Sequence, residues 1–126
     1  MNRLRISIAV LLASMLGFAG MAHAAGPPVC RPALAFKDVQ FSPMQPPTLE
    51  RRWTAVVAVD ASRCAIDSAG YFEIGFSRLK ETGAELEFRE QFIWLSPAVK
   101  VSVDFWADEA VKSYWIESVQ ACPCAR

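Results

Sequence analysis

The chain reads as all-β: a small antiparallel β-sandwich of about six or seven short strands, stabilised by disulfides. Three observations predict this. Apolar residues alternate with period two along most of the chain, and helical periodicity is hard to find. Turn signals recur at spacings of roughly a dozen residues, as in antiparallel all-β domains. Four cysteines, Cys30, Cys64, Cys122 and Cys124, provide two staples for a domain of modest size.

The first element is an address. Arg3 and Arg5 form a positive n-region, Ile6 to Phe18 is an apolar run, and Ala22-His23-Ala24 supplies the small-x-small pattern that a signal peptidase accepts. Residues 1–24 are expected to be a cleaved secretory signal peptide, and residues 25–126 a single domain. The apolar run is shorter than the roughly 20 residues that span a bilayer, so no stable membrane insertion is expected after cleavage. The short n-region and compact signal look bacterial, which places the product in the periplasm or outside the cell. Removing 24 of the 126 residues leaves 102, with 11 basic against 13 acidic side chains. A net charge of about −2 without a basic patch argues against nucleic acid, whose binding draws on displaced counterions. Cleavage also removes His23, the chain's one histidine, and with it the usual general base and metal ligand.

The strands follow in order. Gly26-Pro27-Pro28 and Pro32 make an irregular start tied down at Cys30, and Ala35 to Phe41 is a weakly alternating first strand. Ser42 to Pro47 holds three prolines and cannot form a regular ladder. Arg52 to Asp60 is a clearer strand, with Trp53, Ala55, Val57 and Val59 on one face. A loop from Ala61 to Ala69 carries Cys64. Tyr71 to Leu79 places Phe72, Ile74 and Phe76 together, and Lys80-Glu81-Thr82-Gly83 turns it into Glu85–Leu95. That partner points Leu86, Phe88, Phe92 and Trp94 one way. Ser96-Pro97 ends it, and Val99, Val101, Val103 and Phe105 line the next strand. Ala107 to Val111 reads as a helical turn or a tight loop, and Ser113 to Cys122 as the last strand. A closed barrel is the alternative closure of the same strands.

Strand number and a candidate buried tryptophan give the chain an architecture that resembles the immunoglobulin and fibronectin type III folds over residues 25–126. The immunoglobulin Cys-Trp-Cys order is absent, because Trp53 precedes Cys64 instead of lying between paired strand cysteines.

Four cysteines allow three pairings. Residues two apart on a strand share a face, so Cys122 and Cys124 can each reach a different partner: one is expected to take Cys30 and the other Cys64. The competing chemistry is a thiol-based metal or redox site built from Cys30, Cys64, Cys122 and Cys124. Against it, Met44 is the one methionine left after cleavage, and no βαβ pattern surrounds the Cys-Pro-Cys motif.

Carboxylates offer a second chemistry, since glycosidases need two flanking a cleft. Glu85, Glu87 and Glu90 form one group, and Asp104, Asp108 and Glu109 another. Glu85 and Glu87 alternate with apolar residues and read as a solvated strand face. Alternation puts Glu90 inward between Phe88 and Phe92, where a bulge, a cross-strand Arg78 or an open end of the domain would resolve its charge. No nucleophile elbow, phosphate loop or EF-hand spacing is present.

Aromatic residues carry the binding hypothesis. In Phe105-Trp106 and Tyr114-Trp115 neighbours face opposite ways, so one member of each pair must leave the inner face. Trp106 with Tyr114 or Trp115, exposed together, would form a platform for a sugar ring or a partner protein. The expected function is an exported, non-catalytic binding module of the cell envelope or extracellular space. It takes a protein or glycan partner and requires no cofactor.

Overall fold

The structure, a computed structural model, describes residues 28–126. The expected signal peptide and its cleavage site lie outside the described residues. Eight strands, all paired antiparallel, account for the regular structure: β1 (Val29–Cys30), β2 (Ala33–Phe41), β3 (Glu50–Asp60), β4 (Ala69–Lys80), β5 (Glu85–Leu95), β6 (Ala98–Trp106), β7 (Glu109–Glu117) and β8 (Cys122–Pro123). No helix occurs among the described residues. The stretch from Ala107 to Val111 is a tight turn followed at once by β7, because Glu109 already pairs with Lys80.

The strands form two three-stranded sheets, ordered β2-β3-β6 and β5-β4-β7, and a small ribbon of β1 and β8. Inner faces follow from alternation. Trp53, Ala55, Val57 and Val59 of β3, Phe72, Ile74 and Phe76 of β4, and Val101, Val103 and Phe105 of β6 are all buried. Aromatic rings then join the sheets in matching columns. Phe36 of β2 meets Tyr114 of β7 at 5.0 Å, Trp53 of β3 meets Phe76 of β4 at 4.8 Å, and Phe105 of β6 meets Phe88 of β5 at 5.5 Å. Edge-to-face contacts of this kind add to the burial of large rings.

Strand β4 is central to its sheet and carries two glycines on opposite faces. A Cβ at Gly70 would come within 2.8 Å of the Trp94 indole nitrogen on the inner face. One at Gly75 would come within 2.3 Å of Trp115 on the outer face. Each glycine stands directly opposite its tryptophan in the register. The missing side chains let two indoles lie flat on β4, one from each neighbouring strand.

Past Glu117 the chain stays beside β4: Gln120 donates its backbone N–H to Tyr71 O, and its side-chain oxygen accepts from Tyr71 N–H. It then crosses to β1 as β8. Cys30–Cys124 and Cys64–Cys122 are both disulfides, closing sequence separations of 94 and 58 residues. The expected pairing scheme holds, and the C-terminus is fixed at two points. Ala65 N–H bonds to Pro123 O and Ala125 N–H to Arg63 O, so the last residues lie between β1 and the Cys64 loop. The final strand expected from Ser113 to Cys122 is thus two elements, because the chain bends away after Glu117, where Ser118 takes a positive φ of 52°.

Candidate functional site

Each sheet has an outer face, and the two differ. On the β2-β3-β6 sheet the outward positions are mainly polar: Gln40, Thr54, Lys100 and Ser102, with Arg52 and Asp104 paired at 2.9 Å. The β5-β4-β7 sheet turns apolar side chains outward. Tyr71 and Ile93 are register partners and are 50 % and 53 % exposed; Leu95, two residues on, is 51 % exposed. Alternation dictates this directly. Phe72 and Trp94 point into the core, so their neighbours Tyr71, Ile93 and Leu95 must face solvent.

Beyond the polar register row of Gln91, Glu73 and Glu117, Trp115 lies over Gly75 and donates its indole N–H to Glu117 Oε2 at 2.9 Å. Arg89, on the same transverse row as Gly75 and Trp115, pairs with the other oxygen of Glu117. The Trp115 N–H, and after it Arg89, hold the Glu117 carboxyl below its ordinary value of 4.5. The indole is therefore held over the backbone at Gly75 and at its nitrogen by a carboxylate that Arg89 pairs in turn.

At the disulfide end the row runs into an open cleft of about 1010 Å³. Leu95, Ile66, Ala65 and Pro123 line it together with Ser62, Ser68 and Ser96, and Ile66 is 93 % exposed. Its charged groups are Asp67 and Arg126. Among the described residues Asp67 is the one carboxylate side chain that lines it, so the cleft offers a mixed polar and apolar contact surface and no carboxylate pair.

The expected site residues fall as follows. Tyr114 takes an inward register position, within 5.0 Å of Phe36 and 5.3 Å of Trp53, yet stays 38 % exposed on the edge strand β7. Trp115 lies on the outer face of the β5-β4-β7 sheet. Trp106 lies on the outer face of the other sheet, opposite Glu50, and is 57 % exposed. Trp106 thus stands in a different sheet from both Tyr114 and Trp115, and the expected pairing of Trp106 with one of them is not seen. All four cysteines are in disulfides, so none is a free thiolate in this state. No cluster of three metal-ligating side chains occurs among the described residues.

The carboxylates are also dispersed. Glu85 accepts from Lys112 and Ser77, which in that order lower its pKa, and Asp104 is taken by Arg52. Glu90 does occupy an inward register position, opposite Ile74, yet it is exposed because β5 is an edge strand and opens to solvent beside it. Arg78 does not serve it. Arg78 instead pairs at 2.9 Å with Glu109, which is 2 % exposed, and its guanidinium lies 5.0 Å over the Phe88 ring. Sequence reading missed this buried pair. Its one visible signal is the apolar inward position that Glu109 shares with Val111, obscured by a register shift in β7.

No protein family, curated protein or solved structure matches the chain.

Proposed function

We propose that this chain is an exported binding module. After cleavage behind Ala24 its two sheets form an immunoglobulin-like β-sandwich in the periplasm or outside the cell. It works by docking a partner protein on the outer face of the β5-β4-β7 sheet. One observation carries the reading: Tyr71, Ile93 and Leu95 make an exposed apolar row at one end of an otherwise polar outer face, beside the cleft that Leu95 and Ile66 both line. A soluble domain leaves such a contiguous row uncovered where something else covers it. Aliphatic groups dominate the row, which fits a protein surface better than a sugar ring. Two disulfides suit an oxidising compartment.

The strand order supports the sandwich. With β2-β3-β6 facing β5-β4-β7, the first, second and fifth large strands stack on the third, fourth and sixth, as the immunoglobulin-like resemblance implies.

A photo-reactive amino acid at position 93, with a matched control at Lys37 on the other outer face, tests the docking in the native host. A protein adduct of defined mass from position 93 only, lost on Tyr71→Asp, is the expected result. An adduct of carbohydrate mass would replace the protein partner with a glycan, and equal labelling from both positions would overturn the reading. Intact mass of the exported protein reports the rest: a chain starting at Ala25, lighter than its reduced form by the hydrogens of two cystines.

A further inference from the structure

The two sheets present four edge strands, β2, β6, β5 and β7, and three of them are blunted. Strand β2 has a register break between Lys37 and Gln40, where Asp38 takes a positive φ of 49°. Strand β7 has its own break, which leaves Lys112 without a register partner. Strand β5 carries Glu90 at an inward position between Phe88 and Phe92. Bulges, edge lysines and inward charges are the devices that stop a sheet edge from recruiting another strand. Strand β6 has neither a bulge nor an inward charge, and its one edge lysine, Lys100, is offset within the strand by Asp104. Its nine pairs with β3 run without a shift from Ala98 to Trp106, its inward positions are Val99, Val101, Val103 and Phe105, and it contains no proline.

The direction of its backbone groups can be fixed. Pro97 O accepts from Val59 N–H at 2.8 Å, so the residue at 97 faces β3. Antiparallel pairing alternates, hence Val99, Val101, Val103 and Phe105 also face β3, while Ala98, Lys100, Ser102, Asp104 and Trp106 turn their N–H and C=O outward. The far side of β3 agrees. Arg52, the partner of Asp104, exchanges its own backbone bonds with Ser42 instead of with β6. The Trp106 N–H leans towards Glu109 Oε1 at 3.4 Å.

We propose that β6 pairs antiparallel with β6 of a second copy of this chain, about a two-fold axis between the two Ser102 residues. This register overlaps the whole strand and sets outward-pointing groups against outward-pointing groups. It places Lys100 opposite Asp104 of the other copy, twice by symmetry, and lays the exposed Trp106 over the small Ala98. Registers centred on Lys100 or Asp104 would instead oppose like charges. The product is a six-stranded sheet, β2-β3-β6-β6-β3-β2, in which this unbroken edge disappears. Self-complementarity of this kind is what an isologous interface requires. The outer face of the β5-β4-β7 sheet remains open in each copy.

Sedimentation of the oxidised protein tests it, and twice the chain mass is expected. A mixture of isotopically light and heavy chains, treated with a zero-length carbodiimide, should give a heavy–light crosslink between Lys100 and Asp104. Within one strand these residues stand about 13 Å apart, too far for that reagent. Ser102→Pro removes an outward N–H that no partner within the chain uses, so it should give a folded monomer. Lys100→Glu, which leaves the backbone unchanged, should weaken association about tenfold, and adding Asp104→Lys should recover it. A single-chain mass at every concentration, a dimer lacking the Lys100–Asp104 crosslink, or a dimer indifferent to Lys100→Glu would each overturn the proposal.

Discussion

The two outer faces start from the same alternation and end in different chemistry. Along β3 the residues that leave the core, Arg52, Thr54, Val56 and Ala58, are short or charged, and the face is closed by a simple Arg52–Asp104 pair. Along β4 the corresponding positions are Tyr71, Glu73, Gly75, Ser77 and Leu79, and the absence of a side chain at Gly75 admits Trp115 from the next strand. One face is closed by an exposed ion pair; the other holds an indole over Gly75 and, beyond the polar row of Gln91, Glu73 and Glu117, an exposed apolar row. Period two shows which residues leave the core. What they meet outside depends on strand order, and there the two sheets part.

The most severe way to break the contrast is to fill the space under Trp115. Gly75→Val places atoms where the indole lies, since even a Cβ would stand 2.3 Å from Trp115 Cε2. Overpacking on a central strand should cost about 3 kcal/mol and release the indole into water. The comparison substitution is Thr54→Val, in the same layer of the other sheet, where no hydrogen bond of the hydroxyl is lost among the described residues; it should stay within about 0.5 kcal/mol. Thermal unfolding of both variants, read with tryptophan emission, checks the pair. Equal losses would mean that the outer faces are built alike.

Removing the indoles is a gentler version. Trp115→Ala takes away a half-buried ring and uncovers the β4 backbone at Gly75, and should cost about 2 kcal/mol, less than the 3–5 of a fully buried tryptophan. Trp106→Ala, on the polar-faced sheet, removes a ring that is 57 % exposed and should change monomer stability by no more than about 0.5 kcal/mol. Denaturant midpoints measured at equal slope decide between these expectations. If Trp106→Ala proves the costlier, the structural role belongs to the other face.

Much of this was legible from residue order. The inner faces of β3, β5 and β6, the hairpin at Lys80 to Gly83, separate partners for Cys122 and Cys124, and the outward turn of one residue in Phe105-Trp106 and Tyr114-Trp115 all follow from alternation and turn chemistry; that Cys124 rather than Cys122 takes Cys30 does not. What alternation does not encode is which strands are neighbours. Trp106 and Trp115 both leave the core, yet on different sheets, because β6 pairs with β3 while β7 pairs with β4. Glu90 illustrates the same gap: its inward position is readable, but that β5 is an edge, which keeps the carboxylate wet, is a property of the assembled sheet. Glu109 and Arg78 were hidden by a one-residue shift that realigns β7 against β4.

The smallest effect concerns acid. Glu117 is held below its ordinary 4.5 by the Trp115 N–H first and Arg89 second, with partial desolvation opposing them. A carboxyl whose folded pKa is depressed stabilises the fold fully above its unfolded value and loses that contribution as pH falls through the folded value. The Trp115 environment should therefore be constant from neutral pH down to about 4.5 and change below it, as a protonated Glu117 releases the indole and Arg89. On the other face the hydrogen bond to Asp104 raises the Arg52 pKa further, so that guanidinium stays charged throughout the acid range. Tryptophan emission titrated from pH 7 to acid, in wild type and in Glu117→Gln, separates the two faces. The acid step should vanish in the variant, whose amide cannot titrate. Persistence of the step there would trace it to another carboxylate, Glu85 beside Lys112 being the nearest with a similarly lowered pKa on that face.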